Sequence, residues 1–120
     1  MATVSGLGGV FFRASDPKAL ASWYQDHLGV TELWSQQAGP TVFAPFRKDT
    51  DYFGRDSQQF MLNFRVTDLD ALIADLVIAG IPVETRDEWD SPEVGRFARI
   101  HDPEGNPIEL WEPANPGGLP

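Results

Sequence analysis

At 120 residues, with 42% hydrophobic and 22% charged side chains, the chain has the size and profile of one packed globular domain rather than a disordered segment. It contains no cysteine, which excludes disulfides and thiolate metal sites. Nine basic against 18 acidic residues give a formal charge of −9, so nucleic acid and anionic membranes are not expected as partners.

The N-terminal MATVSGLGGVFF lacks the basic start and long apolar run of a secretory signal, and no stretch is long enough to span a bilayer; a cytoplasmic location is the expectation. Residues 7–14, LGGVFFRA, read as a strand. Ser15 or Asp16 can cap the helix that follows, with Pro17 in its first turn and Gly29 past its end. Leu20, Trp23, Tyr24 and Leu28 form the apolar face of that helix. Strands are expected at 30–35 and 41–46, and a polar loop at 47–58.

The second half follows the same plan. A strand at 59–66 leads to Thr67, a candidate cap, and to a helix buried through Leu69, Leu72, Ile73 and Leu76 that ends at Gly80. Strands follow at 81–86, 95–101 and 107–112, with a second polar loop carrying Trp89 before 95. The DPEGN segment between the last two suits a type I turn with Gly105 in the left-handed position. The tail from 113 to 120 is expected to be irregular.

The halves also match in wording. FRASDPKAL at 12–20 and FRVTDLDAL at 64–72 agree by type at seven of nine positions, with an offset of 68 − 16 = 52. Internal duplication of a βαβββ-type unit is the economical reading. It predicts a single α+β domain over 1–120 with units at about 6–47 and 58–113.

Strand alternation separates an apolar face from a mixed one. Val10, Phe12, Ala14, Leu62, Phe64, Val66, Ile108 and Leu110 fall on the first, which suits packing against the helices. Phe11, Arg13, Met61, Asn63, Arg65, Glu109 and Trp111 fall on the second. A few polar groups among aromatic walls is the composition of a small-molecule pocket, though arginine and glutamate on a solvent-facing sheet also occur as simple neutralising neighbours.

The duplicated plan, the helix ending WYQDHLGV and the stretch DPEGNPIELWEP resemble the vicinal oxygen chelate superfamily, the group of glyoxalase I, bleomycin resistance proteins and extradiol dioxygenases. The resemblance spans roughly residues 6–113. It implies an open, U-shaped mixed sheet with helices outside, a ligand or metal in the cup, and a homodimer. Metal-dependent members place ligands seven residues before the capping Asp, which here means Gly9 and Met61, and on the last strand, which here means Glu109. Glycine has no donor, a thioether is too soft for a hard divalent ion, and the equivalent strand of the first unit, around TVFAPF, has no carboxylate or imidazole, so one ligand of four remains and no cofactor is expected.

The resemblance and the mixed face together imply a small-molecule ligand, aromatic ones included, oriented by Arg13, Asn63, Arg65 and Glu109 and stacked on Phe11, Trp111 and Trp34. Tyr52, with Asp51 and Phe53, and Trp89 could cover the cup from the two polar loops. The alternatives are a metal-dependent lyase or dioxygenase of the same superfamily, or a metal-free enzyme with Glu109 as catalytic general base. His27, at a helix end, reads as structural, and His101 either faces the pocket or is hydrogen-bonded at its rim.

Overall fold

A computed structural model describes residues 2–116. Its elements are α1 (Pro17–Leu28), β1 (Leu62–Arg65), α2 (Leu69–Ile78), a short 3-10 turn (Asp87–Trp89), β2 (Gly95–His101) and β3 (Pro107–Pro113). The sheet is open and mixed, ordered β1-β3-β2, with β1 parallel and β2 antiparallel to the central β3.

The repeated FR–D–AL wording has a local physical meaning. Its aspartates, Asp16 and Asp68, are the N-caps of α1 and α2, accepting from Ala19 N and Ala71 N at 3.1 Å each. Each satisfies one of the backbone donors that a helix start leaves unpaired. The second cap is therefore Asp68 and not Thr67. Gly29 closes α1 at φ +69°, a left-handed conformation that a side chain would oppose.

Both helices are further held by glutamates of the C-terminal hairpin. Glu104 accepts from Ser15 N at 2.6 Å and Asp16 N at 2.9 Å, and Glu112 accepts from Leu69 N at 2.9 Å. Negative charge at a helix start is also favoured by the helix dipole.

The core lies between the helices and one face of the sheet. Leu20 and Tyr24 of α1 and Leu69 and Leu76 of α2 meet Ala98, Ile100, Ile108 and Leu110, with Phe12, Ala14, Leu62 and Phe64 packed around them. Phe12, Ala14, Leu62, Phe64, Ile108 and Leu110 are among the residues that alternation assigns to the apolar side, whereas Val10, assigned there too, is exposed.

The DPEGN turn joins the two ends of this core. Asp102, 4% exposed, accepts from Glu104 N (2.9 Å), Asn106 N (3.0 Å), Asn106 Nδ2 (2.8 Å) and the Tyr24 hydroxyl (2.7 Å). Gly105, at φ +83°, makes the turn possible. Burial, and then the Asp102 carboxylate, push the Tyr24 phenol well above its ordinary value of 10.0. A group whose folded-state pKa is raised gives stability that is complete below the unfolded value and is lost as pH rises above it. Folding stability is therefore expected to fall on the alkaline side of 10.0, and denaturant midpoints measured across that range should fall less steeply in Tyr24→Phe.

Several expected strands do not form. Residues 7–14, 30–35 and 41–46 enter no ladder, and 81–86 contributes a single bridge, Glu84 to Arg99. Two complete βαβββ-type units are thus not seen among the described residues: the first half contains α1 and irregular chain. The physical reason is pairing. A strand needs a neighbour for its backbone groups, and no other described segment supplies one for these stretches. The tail expectation starts too early, since β3 runs through Pro113, and residues 117–120 lie outside those described.

Candidate functional site

The second face of the sheet carries two tiers fixed by strand register. Asn63, Glu109 and Arg99 stand side by side across β1, β3 and β2, and Arg65, Trp111 and Phe97 form the next row. Alternation along each strand puts both rows opposite the core.

The first row is polar, and its centre is Glu109. Asn63 Nδ2 donates to Glu109 Oε1 at 2.7 Å, and the Tyr52 hydroxyl, arriving from the 47–58 loop, donates to Oε2 at 2.5 Å. Tyr52 is steadied by Phe46, whose ring stacks on it at 5.8 Å and 21°. Burial raises the Tyr52 pKa above 10.0, the Glu109 carboxylate adds to the rise, and the Arg99 guanidinium opposes it. Arg99 lies 4.6 Å from the Tyr52 ring centroid and 5.7 Å from that of Trp89.

The second row is apolar apart from Arg65. Trp111 stacks on Phe97 at 6.2 Å and 6°, donates from Nε1 to Val94 O at 2.9 Å, and is only 8% exposed. Arg65 Nη2 donates to Gln37 O at 2.8 Å, tying the irregular first half to the sheet.

Asn63, Glu109, Arg65, Trp111 and Phe97 of these rows floor an open cavity of about 2040 Å³, walled also by Trp34, Met61 and Phe64, while Arg99 stands off its wall against the Tyr52 ring. Of the residues expected at the site, Met61, Asn63, Arg65, Glu109 and Trp111 line it together, and Tyr52 reaches it through Glu109. Phe11 and Arg13 do not line it, and Phe11 is 96% exposed. Their segment joins no sheet, so alternation has no face to assign there. His101 is exposed beside the turn, and the His27 ring lies 5.4 Å from that of Trp23 on α1. Phe97 and Arg99 belong to the site although residue types alone did not mark them. Their signal is the same alternation: in GRFARIH they interleave with the buried Ala98 and Ile100.

The donor set does not fit a divalent metal. Gly9 offers no side chain, Met61 offers a thioether, and both Glu109 oxygens already accept from neutral donors. No group of three or more His, Cys, Asp or Glu comes together among the described residues.

A model of the glyoxalase-like domain matches residues 9–111. Among solved structures, TnmS3, an antibiotic-binding protein from Streptomyces sp. CB03234, is similar at 26% identity and a TM-score of 0.60, covering 94% of this chain and 99% of that one. Glyoxalase I of Leishmania major is similar in fold at 21% identity and a TM-score of 0.54, covering 84% of this chain and 81% of its own. A glyoxalase/bleomycin resistance protein from the same Streptomyces strain shares 28% identity at a TM-score of 0.46, covering 82% of this chain and 92% of its own. No curated protein matches.

Proposed function

The chain belongs to the glyoxalase-like domain family, and from that premise we propose that it binds a small aromatic molecule in the cup without a metal. The observation that carries the reading is the pair of rows on the cup floor: hydrogen-bonding groups centred on Glu109 beside a wall of Phe97 and Trp111. Apolar walls with a few placed polar groups are how small-molecule sites gain affinity and orientation. The described function of TnmS3, antibiotic binding, supports the same class of role.

The working form is a homodimer whose second copy completes the cup. A cavity of about 2040 Å³ exceeds the roughly 300–1,000 Å³ of ordinary ligand sites. Large apolar residues of the first half stand in solvent, with Leu33 97%, Phe11 96% and Phe43 83% exposed. The radius of gyration, 15.0 Å, is above the roughly 13.6 Å typical of this length. Pairing of the first-half segments across the dimer would supply the strands that the repeated βαβββ plan requires.

The test is a thermal-shift and tryptophan-fluorescence screen over aromatic antibiotics and α-keto compounds, with sedimentation of the same samples. At least one compound is expected to stabilise the protein saturably, on a species of two copies. Asn63→Leu, at an exposed position, is expected to weaken that compound by about tenfold, the loss of one hydrogen bond, with little change in stability. Saturable binding that ignores Asn63→Leu, or no binding at all, would sink the reading.

A further inference from the structure

Arg99 is the anomaly of the polar row. It is the cross-strand partner of Glu109, yet the ion pairs among the described residues are Arg47–Asp49, Arg86–Glu84, Arg86–Glu88 and Arg96–Asp70. Glu109 is instead satisfied by two neutral donors, Tyr52 and Asn63. The Arg99 guanidinium is left between two rings, Tyr52 from one polar loop and Trp89 from the other. Its Nε is buried and has no hydrogen-bond partner among the described residues.

Aromatic faces attract a cation, but they do not accept the in-plane N–H bonds of a guanidinium. An unmade bond at a buried charged donor is among the costlier defects a fold can retain, and it leaves that donor free for an acceptor from outside the chain. The guanidinium fork matches a carboxylate in geometry, with two parallel bonds to two oxygens. Arg65 already bonds Gln37 O, and Arg13 lies in a segment that joins no sheet; Arg99 also stands off the open cavity wall, against the Tyr52 ring, so a ligand reaches it only when Tyr52 moves.

Resting on the small-molecule reading of the cup, we propose that Arg99 is a carboxylate subsite, so that the protein selects aromatic acids over neutral or cationic analogues. Tyr52 is the door to this subsite. Its ring covers Arg99, and its hydroxyl, placed between Arg99 and Glu109, must leave Glu109 for a ligand oxygen to enter. Trp89 forms the opposite wall. The formal charge of −9 opposes an anion at long range, but screening limits that field to about 8–10 Å and the local fork decides at contact. Glu109 is then a brake: its negative charge lies beside the incoming carboxylate.

The experiment titrates the wild-type protein with naphthoate, naphthamide and naphthylmethylamine, three probes with one ring system and different charge, read by tryptophan fluorescence and calorimetry. Naphthoate is expected to bind at least about tenfold more tightly than the amide, and the amine no better than the amide. Arg99→Met should reduce naphthoate to the level of the amide, and Glu109→Gln should raise the ratio of naphthoate to amide affinity. Should Arg99→Met fail to fold, the wild-type series and Glu109→Gln still decide. Equal affinity for acid and amide, a tighter amine, or an acid preference that survives Arg99→Met overturns the subsite while leaving the cup a binding site. Failure of all three probes overturns the subsite, and the cup reading falls with it only when the screen of aromatic antibiotics and α-keto compounds is also empty.

Discussion

Asp102→Ala is expected to destabilise the protein by about 3–5 kcal/mol, read as a lowered denaturant midpoint with an unchanged slope. Four donors converge on this buried carboxylate: two backbone N–H groups of the turn, the Asn106 amide and the Tyr24 hydroxyl. Truncation leaves all four without an acceptor, and each buried unsatisfied donor costs about 1–3 kcal/mol before relaxation and water entry reduce the sum. Against a typical total of about 5–15 kcal/mol, that removes a large share of the stability. Tyr24→Phe provides the internal comparison. Asp102 then keeps three donors, and the loss should be nearer 1–2 kcal/mol. A loss below about 1 kcal/mol in Asp102→Ala would show that the turn does not hold α1 to the hairpin.

Leu110→Ala is expected to cost about 2–5 kcal/mol by the same measurement. Leu110 is fully buried at the middle of β3, paired with Phe64 on one side and Ala98 on the other. Its removal loses the transfer free energy of the side chain and leaves a hole that the central strand, tethered on both edges, cannot close. Leu110→Met, which keeps most of the volume, should cost less than about 1.5 kcal/mol. A Leu110→Ala loss as small as that of Leu110→Met would mean that the site collapses freely and that β3 is not the rigid centre of the core.

Where the controlling interactions lie within a few residues, the structure agrees with the sequence except at the α2 cap, which is the neighbouring Asp68 and not Thr67. Asp16 caps α1 through a donor three residues on, Gly29 ends it, and Gly105 turns the hairpin. Alternation likewise sorted Leu62, Phe64, Ile108 and Leu110 from Asn63, Arg65 and Glu109. It failed at Phe11 and Arg13 because their segment has no strand partner, and a period of two means something only within a sheet.

The character of the site depends on contacts that no local pattern encodes. Tyr52 and Glu109 are 57 residues apart, and Tyr24 and Asp102 are 78 apart. Arg99 meets its two rings only because two loops fold back over β2. From residue types alone, Glu109 reads first as half of an ion pair with Arg13 or Arg65, and otherwise as a ligand-binding group or a base. Its actual partners, Tyr52 and Asn63, follow from strand register and loop placement. Caps, turns and periodicity are set by the geometry of a few neighbouring peptide units, and so they can be read one residue after another. Which distant side chains meet is settled by how the whole core packs, because the many small burial terms that choose one arrangement belong to no single segment.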